Sequence, residues 1–234
     1  DLIMNNTPEL IVMLTLNDRT AENAYEIFDR CKDAKAKIWG FKEEGLPPER
    51  MKELYSYMKE RGKTTALEVV AYTEDLCMKG AELAAECGCD ILMGTTFSDR
   101  INDFCKRAGL KYMPFVGEVS GRPSILDGSV EKMVGDAALY LQKGVYGIDL
   151  LGYRYLNDAS ALIEEFVSKT DAPVCIAGSV NSYARLDEIK RISPWAFTIG
   201  SAFFENRFGD GFAEQIDGVY YYINAEHPNA RREN

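Results

Sequence analysis

Eight times along the chain, a short apolar run is followed by a stretch whose apolar residues recur every three to four positions. That alternation limits the folds available. Strands joined by helical crossovers pair in parallel, the crossovers are right-handed, and eight such units bring a sheet round onto itself. The apolar runs cover 9–16, 36–41, 64–71, 90–94, 112–117, 147–151, 174–177 and 196–200. Most are continuous rather than alternating, as befits strands covered on both faces. The helical stretches cover 21–35, 48–61, 74–87, 99–108, 130–143, 158–169, 183–192 and 212–225. This order predicts an α/β fold, a single-domain (β/α)8 TIM barrel. An open doubly wound sheet is the alternative. It calls for fewer units and a glycine-rich first turn, whereas the first turn here reads Leu16-Asn17-Asp18-Arg19-Thr20.

Helix punctuation agrees with the eight units. Thr20, Thr73, Ser98, Ser129 and Asn157 stand where an N-cap oxygen would satisfy free first-turn amides. Gly62, Gly88, Gly109 and Gly144 stand just past helix ends, where a left-handed residue is wanted. No linker or low-complexity stretch divides the chain, so the barrel is assigned residues 1–226 and a polar tail 227–234.

Charge and hydropathy narrow the partners. Lys and Arg number 27 against 37 Asp and Glu, a net charge of −10 that repels a nucleic-acid backbone. No apolar run approaches the roughly 18 to 20 residues needed to cross a bilayer. No secretory signal pattern opens the chain, so a cytoplasmic location is expected. The six cysteines do not form the frame of a small disulfide-stapled fold. Cys87-Gly88-Cys89 is tighter than a metal-binding C-x-x-C, and the thiols are expected to be reduced and buried.

The most specific local signal is a pair of Gly-Ser turns after the last two strands, Ile176-Ala177-Gly178-Ser179-Val180 and Ile199-Gly200-Ser201-Ala202-Phe203. Glycine lets the backbone approach a ligand, and successive N–H groups then point at an anion. A short helix starting at Ser201 would add its positive end. Gly178, Ser179, Gly200 and Ser201 are therefore the candidate phosphate-binding residues.

Here the sequence resembles the ribulose-phosphate-binding barrels, whose last two strands end in similar GG or GS turns. Pro173 resembles that group's lead-in to the seventh strand. The topological resemblance runs over almost the whole chain, the motif over its last third. It implies a phosphorylated small-molecule substrate.

Charged residues interrupt strands that otherwise read as apolar: Asp18, Lys42, Glu68, Glu118 and Asp149. A charge on a strand buried on both faces is costly unless paired, and strand carboxyl ends face the barrel mouth. Lys42, Glu68, Asp149 and Glu118 are the candidate catalytic residues, and Asp18 the candidate to bind substrate or cap a helix. Arg122, in a segment 119–128 expected to cover the mouth, and Arg154 could each grip an anionic group. Thr95 and Thr96 offer hydroxyls to a sugar. His227 is the one histidine and lies in the tail, which argues against histidine acid–base chemistry.

Lysine among acids, above a phosphate cradle, allows two chemistries. Lys42 could form a Schiff base with a ketone, but neighbouring carboxylates oppose the neutral amine. Alternatively, a charged Lys42 stabilises an enediolate while Glu68 or Asp149 moves the proton, giving an isomerase, an epimerase, or an aldol or decarboxylating lyase. The second is preferred. Mg²⁺ held by Glu68, Glu118 and Asp149 could serve the same end. Glu68, Asp149 and the two glycine turns are also similar to the barrel of quinolinate phosphoribosyltransferase, which implies glycosyl transfer. That family's separate N-terminal domain and Arg/His/Lys cluster are missing here. A non-catalytic sensor of phosphometabolites is the remaining alternative. Phe203, Phe204 and Phe208 read either as core or as a contact between copies in a homo-oligomer.

Overall fold

The computed structural model describes residues 7–226. Its eight barrel strands are β1 (Glu9–Met13), β2 (Ile38–Lys42), β3 (Thr64–Val69), β4 (Ile91–Gly94), β5 (Lys111–Met113), β6 (Ile148–Leu150), β7 (Val174–Ile176) and β8 (Ala196–Ile199). Neighbouring strands pair in parallel in the order β6-β7-β8-β1-β2-β3-β4-β5. Between the two ends, Tyr146 N donates to Tyr112 O at 2.9 Å and Asp149 N to Pro114 O at 3.0 Å. A parallel bridge joins Phe115 to Asp149 there. Pro114, which has no N–H, ends the regular ladder of β5 earlier than the apolar run 112–117 implies.

Period-2 alternation sorts each strand. Ile11, Met13, Ile38, Ala66, Ile91, Met93, Met113, Cys175 and Ala196 fill the barrel interior. The alternate set, such as Val12, Trp39, Phe41, Leu67 and Leu92, packs outward beneath the helices. Those helices are α1 (Ala24–Cys31), α2 (Pro48–Glu60), α3 (Glu74–Glu86), α4 (Asp99–Ala108), α5 (Val130–Gln142), α6 (Ala159–Lys169), α7 (Tyr183–Ile192), the short α8 (Ser201–Phe204) and α9 (Phe212–Asn224). Phe203 and Phe208 are buried, and Phe203 and Phe204 pack on Phe212 with centroids 5.7 and 5.0 Å away. These rings belong to the core.

Caps at Thr73, Ser98 and Ser129 form as the sequence implies, each hydroxyl accepting from the amide three residues on. Gly62, Gly88, Gly109 and Gly144 all take left-handed φ values. Two expected caps differ. Asp158, not Asn157, caps α6 and accepts from Ala161 N at 3.0 Å. Thr20 caps nothing: the run 9–16 splits after Met13, and Thr15–Leu16 pairs antiparallel with Arg19–Thr20. Asn17 and Asp18 form the two-residue turn with φ of 53° and 60°, the left-handed pair such a hairpin requires. Helix α1 therefore starts at Ala24, and Asp18 is a turn residue rather than a helix cap.

The mouth segment is a second hairpin, Glu118–Ser120 paired with Ile125–Asp127. All six cysteines are free and buried. Among the described residues no helix is long and apolar enough to cross a membrane. His227 and the tail 227–234 lie outside the described residues.

Candidate active site

The strand carboxyl ends open onto a cavity of about 290 Å³, at the small end of ligand pockets. Lys42 ends β2 in register with Glu68 on β3, and both point into it. Lys42 Nζ stands 3.1 Å from Asp18 Oδ1 and 4.0 Å from Glu68 Oε1. The small hairpin also fixes the lysine's backbone: Thr20 Oγ1 accepts from Lys42 N at 3.0 Å and donates to Lys42 O at 2.8 Å. Asp18 and Thr20 thus hold Lys42 by its side-chain nitrogen and by its backbone.

Asp149 lies on β6 behind this pair, with no exposed surface. Burial pushes its carboxyl well above the ordinary value, the Glu68 charge and a hydrogen bond with Glu68 push it further, and Lys42 opposes them. No protein donor reaches Glu68 Oε2 or either Asp149 oxygen. The contact between the two carboxyls is therefore a hydrogen bond only when one of them carries a proton. Asp149 is the one whose carboxyl the surroundings push toward the protonated form. Only Glu68 of the two lines the cavity.

Both Gly-Ser turns border the same cavity. Gly178 and Ser179 take φ of 83° and 59°, a left-handed turn that glycine makes at no steric cost. Arg185 braces it from behind: Nη1 donates to Ser179 O and, at 3.2 Å, to Asn181 Oδ1, while the guanidinium lies over the Tyr153 ring. Gly200 is needed for space. A Cβ there would meet Thr15 Oγ1 at 2.5 Å. Helix α8 starts directly after it, with Phe203 N donating to Gly200 O at 3.0 Å.

Eight residues singled out in the sequence converge on the cavity: Asp18, Lys42, Glu68, Arg154, Gly178, Ser179, Gly200 and Ser201. Others do not. Arg122 turns away, forking onto Glu44 with two contacts of 3.2 Å and onto Val70 O at 2.9 Å, so it fastens the mouth hairpin. Its neighbour Pro123 reaches the cavity instead. Thr95 is buried, with Oγ1 2.6 Å from Tyr112 Oη. Glu118 is exposed on the mouth hairpin, so Glu68, Glu118 and Asp149 do not form the carboxylate set imagined for Mg²⁺. Among the described residues, no three His, Cys, Asp or Glu side chains are grouped to hold a metal ion.

Thr15, Asn17, Asn181, Thr198 and Glu205 line the cavity and were not singled out from the sequence. Thr198 carried a signal: it is the one polar residue of β8, in register with inward-facing Ile11. Asn181 and Glu205 carried none, since each is exposed and looks like any surface residue.

No family model matches the chain, and no curated protein matches it by sequence. Solved structures match it along nearly its whole length. Thiamine phosphate pyrophosphorylase from Pyrococcus furiosus superposes with a TM-score of 0.65 at 13% identity, covering 95% of this chain and 98% of that one. Orotidine 5'-phosphate decarboxylase from Pyrococcus horikoshii gives 0.65 at 11%, covering 93% and 100%. N-acetylmannosamine-6-phosphate 2-epimerase from Clostridium perfringens gives 0.62 at 14%, covering 86% and 90%. In fold, this chain is a (β/α)8 barrel like those proteins.

Proposed function

We propose that this barrel is an enzyme acting on a small phosphorylated, sugar-type metabolite through enediolate chemistry, as an isomerase, an epimerase, or an aldol or decarboxylating lyase. One observation carries the reading: an ion-paired lysine, a carboxylate backed by the fully buried Asp149, and two Gly-Ser turns border one cavity. The turns at Gly178-Ser179 and Gly200-Ser201 take the phosphate through backbone N–H groups. Lys42, paired with Asp18 at 3.1 Å, faces the oxygen that gains charge as a proton leaves the adjacent carbon. Glu68 takes that proton, and Asp149 fixes Glu68 through their shared hydrogen bond. A Schiff base at Lys42 would require breaking its ion pair first, so the amine serves better as an oxyanion partner. That the solved neighbours include a decarboxylase and an epimerase whose names specify phosphorylated substrates supports the substrate class.

The test is proton exchange. Phosphorylated ketoses and keto acids are incubated with the protein in D₂O, and deuterium at the carbon next to the carbonyl is followed by NMR. Lys42→Met and Glu68→Gln are each expected to slow exchange by about 10²- to 10⁴-fold, with inorganic phosphate binding retained. Exchange at wild-type rate in both variants would defeat the assignment. Phosphate binding without exchange or turnover of any such compound would leave a sensor.

A further inference from the structure

The mouth hairpin and the phosphate cradle share one side chain. Arg154 leaves the turn after β6 and runs along Gly178, where an added Cβ would sit 3.2 Å from its Cγ and Nε. Its Nη1 donates to Ser124 O, in the hairpin's turn, at 3.1 Å. Its Nε is buried without a partner. None of the ion pairs among the described residues uses Arg154, although Arg19, Arg61, Arg100, Arg122, Arg191 and Arg207 each have a carboxylate. Of the acids on the cavity wall, Glu205 is turned to Arg207 at 3.3 Å and Asp18 to Lys42 at 3.1 Å. A guanidinium with a buried unmet N–H in a chain of net charge −10 is an anion site waiting on its anion.

We propose that Arg154 couples the hairpin to the bound phosphate: its free N–H groups take the anion held by the two Gly-Ser turns while Nη1 keeps its hold on Ser124. The ligand class is a phosphate monoester, whose oxygens suit a planar fork of donors. The hairpin is already tied at its other side, where Tyr72 Oη donates to Gly121 O at 2.7 Å and Arg122 grips Glu44 and Val70. Its second strand is held as well, Leu126 O accepting from Leu156 N at 3.0 Å and Gly128 O from Tyr155 Oη at 2.6 Å, so anion binding to Arg154 steadies the tip at Ser124, beside Pro123 in the cavity wall. This rests on the cradle assigned above and adds to it a positioning residue that no Gly-Ser motif contains.

The experiment uses inorganic phosphate as the probe, with calorimetry for affinity and hydrogen exchange over residues 118–127 for the hairpin. Wild type is expected to bind phosphate and to slow hairpin exchange when it does. Arg154→Met is expected to bind roughly 10- to 100-fold more weakly and to lose the hairpin response even at saturating phosphate. Arg154→Lys keeps the charge without the fork and should recover part of the affinity but not the exchange protection. Should Arg154→Met fail to fold, the lysine variant alone decides the matter. Full hairpin protection in the phosphate-saturated variant would overturn the coupling while leaving the cradle intact. Failure of wild type to bind phosphate would overturn both.

Discussion

Seating of the second Gly-Ser turn against the hairpin at Thr15 can be tested by a two-residue cycle. Gly200 has a negative φ of −124°, so the obstacle to a side chain there is contact rather than left-handed strain. An added Cβ would lie 2.5 Å from Thr15 Oγ1, but 3.4 Å from Thr15 O and 3.5 Å from Met13 Cβ, which are ordinary contacts. Thr15 is buried, and its hydroxyl has little room to retreat. Forcing such a contact costs about 1–3 kcal/mol. At roughly 2–4 °C per kcal/mol for a chain of this size, Gly200→Ala should lose about 2–12 °C in Tm. Thr15→Ala removes the offending atom, so in the double variant the new methyl meets only ordinary neighbours. The double variant should therefore be about 1–3 kcal/mol more stable than the sum of the single losses implies. Urea melts of the four proteins measure this directly. Losses that add to within about 0.5 kcal/mol would refute the reasoning, because the turn would then not sit on Thr15.

Two further outcomes follow from the same geometry. Gly178→Ala and Gly62→Ala both place a methyl on left-handed backbone, φ 83° and 77°, and each should cost about 1–2 kcal/mol of stability. Only the first should weaken phosphate binding, since nothing lies within 4 Å of the second; equal phosphate affinities by calorimetry would count against the cradle. Asp149 supplies a pH prediction. The unfolded chain releases this proton near the ordinary 3.8 while the folded chain keeps it, so the site's contribution to stability falls as pH rises past 3.8. Asp149→Asn removes that loss, and its stability relative to wild type, from melts between pH 4 and 8, should rise with pH. A flat difference would mean that Asp149 ionises normally in the fold.

Much of this was legible in the sequence because barrel strands announce themselves. Leu67-Glu68-Val69 puts one acid between residues that must pack outward, so period 2 alone sends Glu68 inward, and Lys42 follows by register. What stayed hidden depended on local turns. Nothing in the apolar run 9–16 tells that residues 15–20 fold back as a hairpin, so Thr20 looked like a cap when its hydroxyl serves Lys42. The mouth segment was legible as a cover but not as a hairpin. The partner of Arg122 could not be read either, because Glu44 is 78 residues away. Glu118 misled for the same reason: it follows β5 in sequence, but the hairpin carries it to the surface.

The distribution of unmet polar groups argues for function more strongly than any single residue does. Six buried side-chain atoms among the described residues lack a hydrogen-bond partner, and four of them belong to Glu68, Asp149 and Arg154. Each such atom costs about 1–3 kcal/mol relative to a satisfied one, and an apolar residue at position 149 would spare the barrel two of them. A fold selected for stability alone would not gather these costs beside one cavity. A proton shared between Glu68 and Asp149 and an anion on Arg154 would meet three separate needs at once. The cavity is thus the place where the chain is chemically incomplete, and the phosphorylated ligand proposed above would supply the anion that Arg154 lacks.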